Sequence, residues 1–266
     1  MPLAVCATPI GNLDDVTLRV LAELRDADLV LAEDTRHTRG LLERHGIAAR
    51  LLSLHEHNEP ARVAELLPRL ASGERIALVS DAGMPVVSDP GARLVRAALD
   101  DGAHVTVLPG PSAVETALVV SGLVGGRYSF VGFLPRKAGE LAALWQELAA
   151  WHGPVVAFES PQRLGASLRS LASFDPERQV AVCRELTKRF EEVVRGTAAE
   201  LAPRFTTAPK GEITLVLGPG TVELDDAPAL AAVEELVAAG TPRRVAAEVV
   251  SGLTGAARNT LYRATL

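Results

Sequence analysis

Aromatic residues are scarce, with Phe, Trp and Tyr together making up 4% of the 266 residues. A protein that holds single strands by stacking successive bases needs several exposed rings, so the composition argues against a general base-stacking binder. Cysteine is nearly absent. Cys6 and Cys183 each sit in an apolar strand-like run, which reads as two buried reduced thiols rather than a disulfide or a metal site. No apolar run approaches the roughly 18 residues needed to cross a bilayer. The amino-terminal Met-Pro-Leu-Ala-Val-Cys has no basic segment ahead of its apolar run, so neither a signal peptide nor a membrane association is expected, and the location expected is the cytoplasm. The net charge of −6 disfavours attraction of nucleic acid over the whole surface, though local basic patches stay open. Neither G-x-x-x-x-G-K-[ST] nor a G-x-G-x-x-G after the first strand occurs, which disfavours a P-loop nucleotidase and an ordinary Rossmann dehydrogenase.

What the chain does have is alternation. Apolar runs at residues 3–8, 28–32, 75–80 and 104–108 alternate with helical patterns at 15–25, 35–45, 60–71, 92–100 and 112–121. That order predicts a mainly parallel sheet with helices on its faces. Three glycines within residues 122–126 suggest a linker. A second α/β half follows, with strands at 128–133, 154–158, 179–183, 192–195 and 212–217 and helices at 140–151 and 163–173. A mixed sheet is expected there. The break at 218–221 and the acidic Asp225-Asp226 close it. The domains read as 1–121, 122–224 and a helical extension, 225–266. In that extension Gly240 stops one helix, Thr241-Pro242 opens a second, Gly252 ends it and Thr254 caps a third. The pattern is helix-turn-helix-like, or else a small appendage that packs or dimerises.

Four loops carry the chemistry. Thr8-Pro-Ile-Gly-Asn12, Glu33-Asp-Thr-Arg36, Ser80-Asp-Ala-Gly-Met-Pro85 and Pro109-Gly-Pro-Ser-Ala113 each follow a first-half strand directly. If those strands are parallel, all four loops leave one edge, where open α/β sheets bind ligands. Prolines stiffen the loops, and glycines clear side chains from places where backbone must touch. With Asp81 as the main nearby charge, an adenosine-bearing cation suits them better than a polyphosphate, which would want Lys or Arg. His55-Glu-His-Asn-Glu59 reads as a substrate-side loop or a helix start, since two histidines two apart do not make a metal site.

These loops stand in one order with Gly132-Phe-Leu-Pro-Arg-Lys137, Glu159-Ser-Pro and Arg184-Glu-Leu-Thr-Lys188. The set resembles the small-subunit ribosomal RNA methyltransferases, S-adenosylmethionine enzymes of the tetrapyrrole methylase-like group, over essentially the whole chain. The resemblance implies two α/β domains of the tetrapyrrole methylase type, S-adenosylmethionine as cofactor and 2′-O-methylation of a cytidine in 16S ribosomal RNA. It also implies a homodimer whose partner is 16S RNA or the small subunit, not DNA. Cofactor contacts carried over are Pro9, Gly11, Asp81, Gly83, Met84, Ser112 and Ala113, with Phe158 and Gly211 from the second half. A ribose hydroxyl is a poor nucleophile until deprotonated, so a base helps. The candidates are Asp81, Glu33, Asp34 and Lys137. Arg36, Arg136, Lys137, Arg184 and Lys188 are the candidates for gripping RNA phosphates. Two alternatives stay open: a methylase of the same fold acting on a tetrapyrrole or other small molecule, and a non-catalytic RNA- or ribosome-binding module.

Overall fold

The computed structural model describes residues 2–87, 89–221, 227–254, 256 and 258–265. The expected boundary at 224/225 and the Asp225-Asp226 pair lie outside them. The first half runs β1 (Leu3–Cys6), α1 (Leu18–Asp26), β2 (Leu29–Ala32), α2 (Thr35–Arg44), β3 (Leu51–Ser53), α3 (Glu59–Ala71), β4 (Ile76–Val79), α4 (Ala92–Asp100), β5 (Val105–Leu108) and α5 (Ala113–Ser121). The second runs β6 (Ser129–Phe133), α6 (Ala138–Ala149), β7 (Val155–Glu159), α7 (Pro161–Phe174), β8 (Gln179–Arg184), β9 (Glu192–Thr197), α8 (Ala198–Leu201) and β10 (Ile213–Leu217). Three helices close the chain: α9 (Ala227–Ala238), α10 (Arg243–Thr254) and α11 (Arg258–Ala264). The chain divides into two compact units. One comprises Met1–Val120 with Cys183–Val193 and Gly211–Thr214; the other comprises Ser121–Val182, Val194–Lys210 and Leu215–Leu266.

The first sheet has strand order β3-β2-β4-β1-β5, with each neighbouring pair parallel. β1, β2 and β4 are continuous apolar runs, buried throughout, because both their faces are covered. Ala4, Cys6, Val30, Ala32, Ala77 and Val79 pack with Val20 and Leu24 of α1 and Leu41 and Leu42 of α2. The alternate residues Leu3, Val5, Leu29, Leu31, Ile76 and Leu78 pack with Leu66 and Leu70 of α3 and Leu94 and Ala98 of α4. Cys6 and Cys183 are both buried thiols outside any disulfide. Burial, with a smaller contribution from Glu23, pushes the Cys6 thiol up to about 12, so it behaves as a small apolar side chain.

Three local expectations shift. Asn12 accepts from the Asp14 N–H and caps only a 3-10 turn at Leu13–Asp15. Thr17 then accepts from the Val20 N–H, so α1 begins at Leu18 rather than at residue 15. A strand unmarked in the sequence, β3, adds to the sheet edge in the register Val30↔Leu51, Leu31↔Leu52 and Ala32↔Ser53. Finally, α10 runs through Gly252 to Thr254, whose hydroxyl donates back to the Val250 carbonyl (2.8 Å).

The second sheet has order β6-β7-β10-β8-β9, with β6 and β7 parallel. Beyond it Gly240, at φ 94°, closes α9 with two reverse hydrogen bonds, Gly240 N–H to Val237 O and Thr241 N–H to Leu236 O. Ala229 and Val233 of α9, Ala246, Ala247 and Val250 of α10 and Leu261 of α11 share one small core, so the three helices fold against each other. Among the described residues no helix is long and apolar enough to cross a membrane.

Candidate active site at the carboxyl edge of the first sheet

Parallel pairing puts the ends of the strands in line: Cys6 pairs with Val79 and with Leu108, and Leu31 pairs with Leu78. The loops after β1, β2, β4 and β5 therefore leave the same edge. Because β3 also runs parallel, residues 54–58, with His55 and His57, form a fifth loop there. In that loop Asn58 donates to His55 Nε2 (3.1 Å), leaving His55 Nδ1 buried and unpartnered among the described residues.

Backbone ties hold two of the loops together. Thr8 and Gly83 exchange both backbone hydrogen bonds, N–H to O at 2.8 Å and 3.1 Å, an isolated antiparallel bridge between the β1 and β4 loops. The Thr8 hydroxyl donates to the Ser80 carbonyl (3.0 Å), and the Ser80 hydroxyl donates to the Gly83 carbonyl (3.1 Å). Gly83 stands at φ 78°, left-handed backbone that a side chain disfavours. Val86 is also left-handed, at φ 75°. The far end of the loop is pinned by buried Glu59, whose carboxylate accepts the N–H groups of Gly91 (3.1 Å) and Arg93 (2.9 Å) at the start of α4. Of the cofactor candidates in this unit, Pro9 and Gly83 are buried, Gly11, Asp81, Met84, Ser112 and Ala113 are half-buried, and Gly211 is exposed. The Met84 side chain packs on the α3/α4 core, so its backbone is the part left to meet a ligand. The Ser112 hydroxyl donates to Glu115 at the first turn of α5.

Three carboxylates share this edge. Burial, then the Asp81 charge, raises Glu33. Asp89 is pushed up to about 7, chiefly by burial and next by Glu33, with a Ser80 hydrogen bond opposing and Asp81 adding. Asp81 accepts the Asp34 N–H (3.0 Å), joining the β2 and β4 loops. Asp34 itself is engaged elsewhere. It caps α2 through the Arg36 N–H (2.8 Å) and pairs with the Arg36 guanidinium (2.6 Å), which holds its carboxyl well below the usual range. That pairing occupies Arg36, the only Lys or Arg in the five loops. Sequence reasoning missed Asp89, because Ser-Asp-Pro-Gly reads as a plain turn.

The β8–β9 connection belongs to the same unit and rests on the first loop. The Asn12 N–H donates to Thr187 Oγ1 (3.0 Å). A Cβ on Gly11 would lie 2.5 Å from Lys188 Cγ and 2.7 Å from the Leu186 carbonyl oxygen, so glycine is there for close approach. Lys188 pairs with Glu185 (2.9 Å) and Glu212 (2.8 Å), and Arg184 pairs with Glu192 (3.0 Å). Gly211, at φ 96°, lets Glu185 lie against its backbone. In the other unit Phe158 meets Phe130 and Phe133 edge-on. There Arg136 is exposed, and Lys137, at the N-cap of α6, pairs with Glu140 (2.8 Å).

Residues 2–202 match the family model described as Tetrapyrrole (Corrin/Porphyrin) Methylases. The chain is 44% identical over 264 residues to the ribosomal RNA small subunit methyltransferase I of Mesorhizobium japonicum, covering 98% of this chain and 90% of that protein. It is 41% identical over 265 residues to the protein of the same name from Neisseria meningitidis, covering 98% and 91%. Among solved structures, uroporphyrin-III-C-methyltransferase from Thermus thermophilus superposes with a TM-score of 0.58 at 21% identity, covering 81% of this chain and 93% of that one. That likeness concerns the fold. A doubly covered parallel sheet with loops gathered at its carboxyl edge, matched along nearly its whole length by sequence, places this chain in the tetrapyrrole methylase family, among the relatives named ribosomal RNA small subunit methyltransferase I.

Proposed function

We propose that this chain transfers a methyl group from S-adenosylmethionine to the 2′-hydroxyl of a cytidine in the 16S RNA of the small ribosomal subunit. We further propose that it does so as a cytoplasmic homodimer. The observation that carries the reading is the make-up of the strand-end loops. They offer backbone groups and the carboxylates of Glu33, Asp81 and Asp89, while their one guanidinium is neutralised by Asp34. Such a donor set fits an adenosine-bearing sulfonium and would repel a polyphosphate. Its holders would be the backbone around Pro9, Gly11, Gly83, Met84, Ser112 and Ala113, with Asp81 beside it; Phe158 and Gly211 are the candidates from the second half.

Bound there, S-adenosylmethionine supplies an activated methyl group on a good leaving group. The chain's own work is then to align the ribose hydroxyl, exclude water and take its proton. Asp89, lifted to about 7, is ionised often enough near neutral pH to accept a proton and basic enough to hold it. Burial, with the charges of Glu33 and then Asp81, keeps it lifted. Asp34, tied to Arg36, serves as a helix cap rather than as a base. Arg136 and Lys137 suit phosphate contacts.

Labelled-methyl transfer to small subunits from cells lacking this protein, with the modified nucleotide mapped, tests the reading. Incorporation at one cytidine 2′-oxygen is the expected result. Incorporation into a free tetrapyrrole instead would support the small-molecule alternative. Failure to bind S-adenosylmethionine in calorimetry would point to a non-catalytic module. Sedimentation of the free protein tests the dimer.

A further inference from the structure

We propose that Phe190 is a single stacking platform for an unpaired base of the RNA substrate, held in place by the β8–β9 connection beside the candidate active site. The proposal rests on the RNA-methylating reading above. Phe190 is 65% exposed; Phe133 is also exposed, at 61%, but its ring packs edge-on against Phe158, whereas Phe190 stands beside a guanidinium. The ring is not simply solvated: the Arg189 guanidinium carbon lies 5.5 Å from its centroid. Arg189 pairs with no carboxylate among the described residues. Its neighbours differ, since Lys188 is taken by Glu185 and Glu212, and Arg184 by Glu192. Arg189 therefore keeps its charge available to a phosphate while it flanks the ring.

The segment carrying this pair is rigid by construction. Glu185 (φ 52°) and Thr187 (φ 65°) both hold left-handed backbone without being glycine. The Thr187 N–H donates to the Glu191 carboxylate (2.6 Å), and the Glu191 N–H donates to the Lys188 carbonyl (3.1 Å). The turn thus closes around Arg189 and Phe190. Its other side is seated on Gly11 and Asn12, the loop leaving β1 at the ligand edge. A strained, cross-braced turn that touches the candidate site on one side, and on the other holds an exposed ring beneath a guanidinium paired with no carboxylate among the described residues, is built to present that ring. The overall shortage of aromatics fits this arrangement. One ring cannot track a single strand, but it can fix one splayed base so that a neighbouring ribose is positioned.

The test uses the full-length protein and unmethylated small subunits. The Phe190→Ala variant should bind the subunit ~5- to 100-fold more weakly, the span of one lost base stack. The Phe190→Trp variant should bind normally and show tryptophan quenching on subunit addition. The Phe190→Leu variant should behave like Phe190→Ala, which separates stacking from plain apolar contact. The Arg189→Gln variant should lower the salt dependence of binding, and Phe190→Ala should leave it unchanged. Cofactor affinity measured by calorimetry should match wild type in all four. Binding by Phe190→Ala or Phe190→Leu within two-fold of wild type would overturn the platform while leaving the methyltransferase reading intact. A wild-type protein that neither binds nor methylates small subunits would overturn both.

Discussion

Replacing Asp89 by Asn removes one negative charge while keeping the side chain's shape. Folding lifts Asp89 from its ordinary 3.8 to about 7. A lift of that size, fully expressed, is worth ~4 kcal/mol. Asp89 is only half-buried, and solvent screening cuts the figure to ~1–2 kcal/mol. The sign follows from counting protons. Between about pH 4 and pH 7 the folded chain keeps the Asp89 proton and the unfolded chain has released it. Stability therefore falls as pH rises across that window and levels off above it. The Asp89→Asn variant lacks this term. It should match wild type in urea unfolding near the acid end of the window and exceed it by ~1–2 kcal/mol above the window.

Activity should move the other way. As a general base Asp89 is worth roughly 10²- to 10⁴-fold in rate. Single-turnover methylation with limiting cofactor reports the free enzyme, so the wild-type rate should climb through about pH 7 and then plateau. The variant should be slow at every pH while still binding cofactor. Equal rates for the two proteins on the alkaline plateau would refute the base. Equal stability gaps at both ends of the window would refute the burial argument beneath it.

Gly11 and Gly83 separate two kinds of glycine requirement. The Gly11→Ala variant adds a Cβ within 2.7 Å of a backbone oxygen, so the β8–β9 connection must lift off; a loss of ~1–3 kcal/mol in chemical unfolding and weaker subunit binding are expected. The Gly83→Ala variant meets only ordinary contacts, with Ile10 at 3.5 Å, but needs φ 78°, so a loss of ~1–2 kcal/mol and weakened cofactor binding should follow. Neutralising Arg136 and Lys137 together should reduce the slope of log affinity against log salt for the small subunit by ~1–2, with cofactor affinity unchanged; an unaltered slope would remove them from the RNA surface.

The first sheet was legible because β1, β2 and β4 are buried apolar runs, and the turns after β1, β4 and β5 are rich in Pro or Gly. Runs such as Ile76–Val79 have few alternative folds, and parallel order then carries four loops to one edge. β3 was not legible, since three half-buried residues show neither alternation nor an apolar run. Without β3 the position of His55 could not be read. Asp89 was hidden for a different reason. Its nearness to Glu33 depends on the chain folding back between Gly83 and Gly91, through left-handed backbone at Val86, a residue that gives no sign of adopting it. The turn on Gly11 was hidden most deeply. It joins residues 175 apart through one hydroxyl and a space the size of a methyl group, and local sequence does not encode a contact of that kind. Gly11 is not left-handed, so turn geometry cannot account for it, and only the fold supplies its reason. Backbone geometry and buried charge, which depend on the whole chain, thus decide which of the legible loops can do chemistry. That is why Asp81 and Asp34, plain in the sequence, hold the edge together, while the carboxyl lifted to about 7 is Asp89, with Glu33 raised beside it.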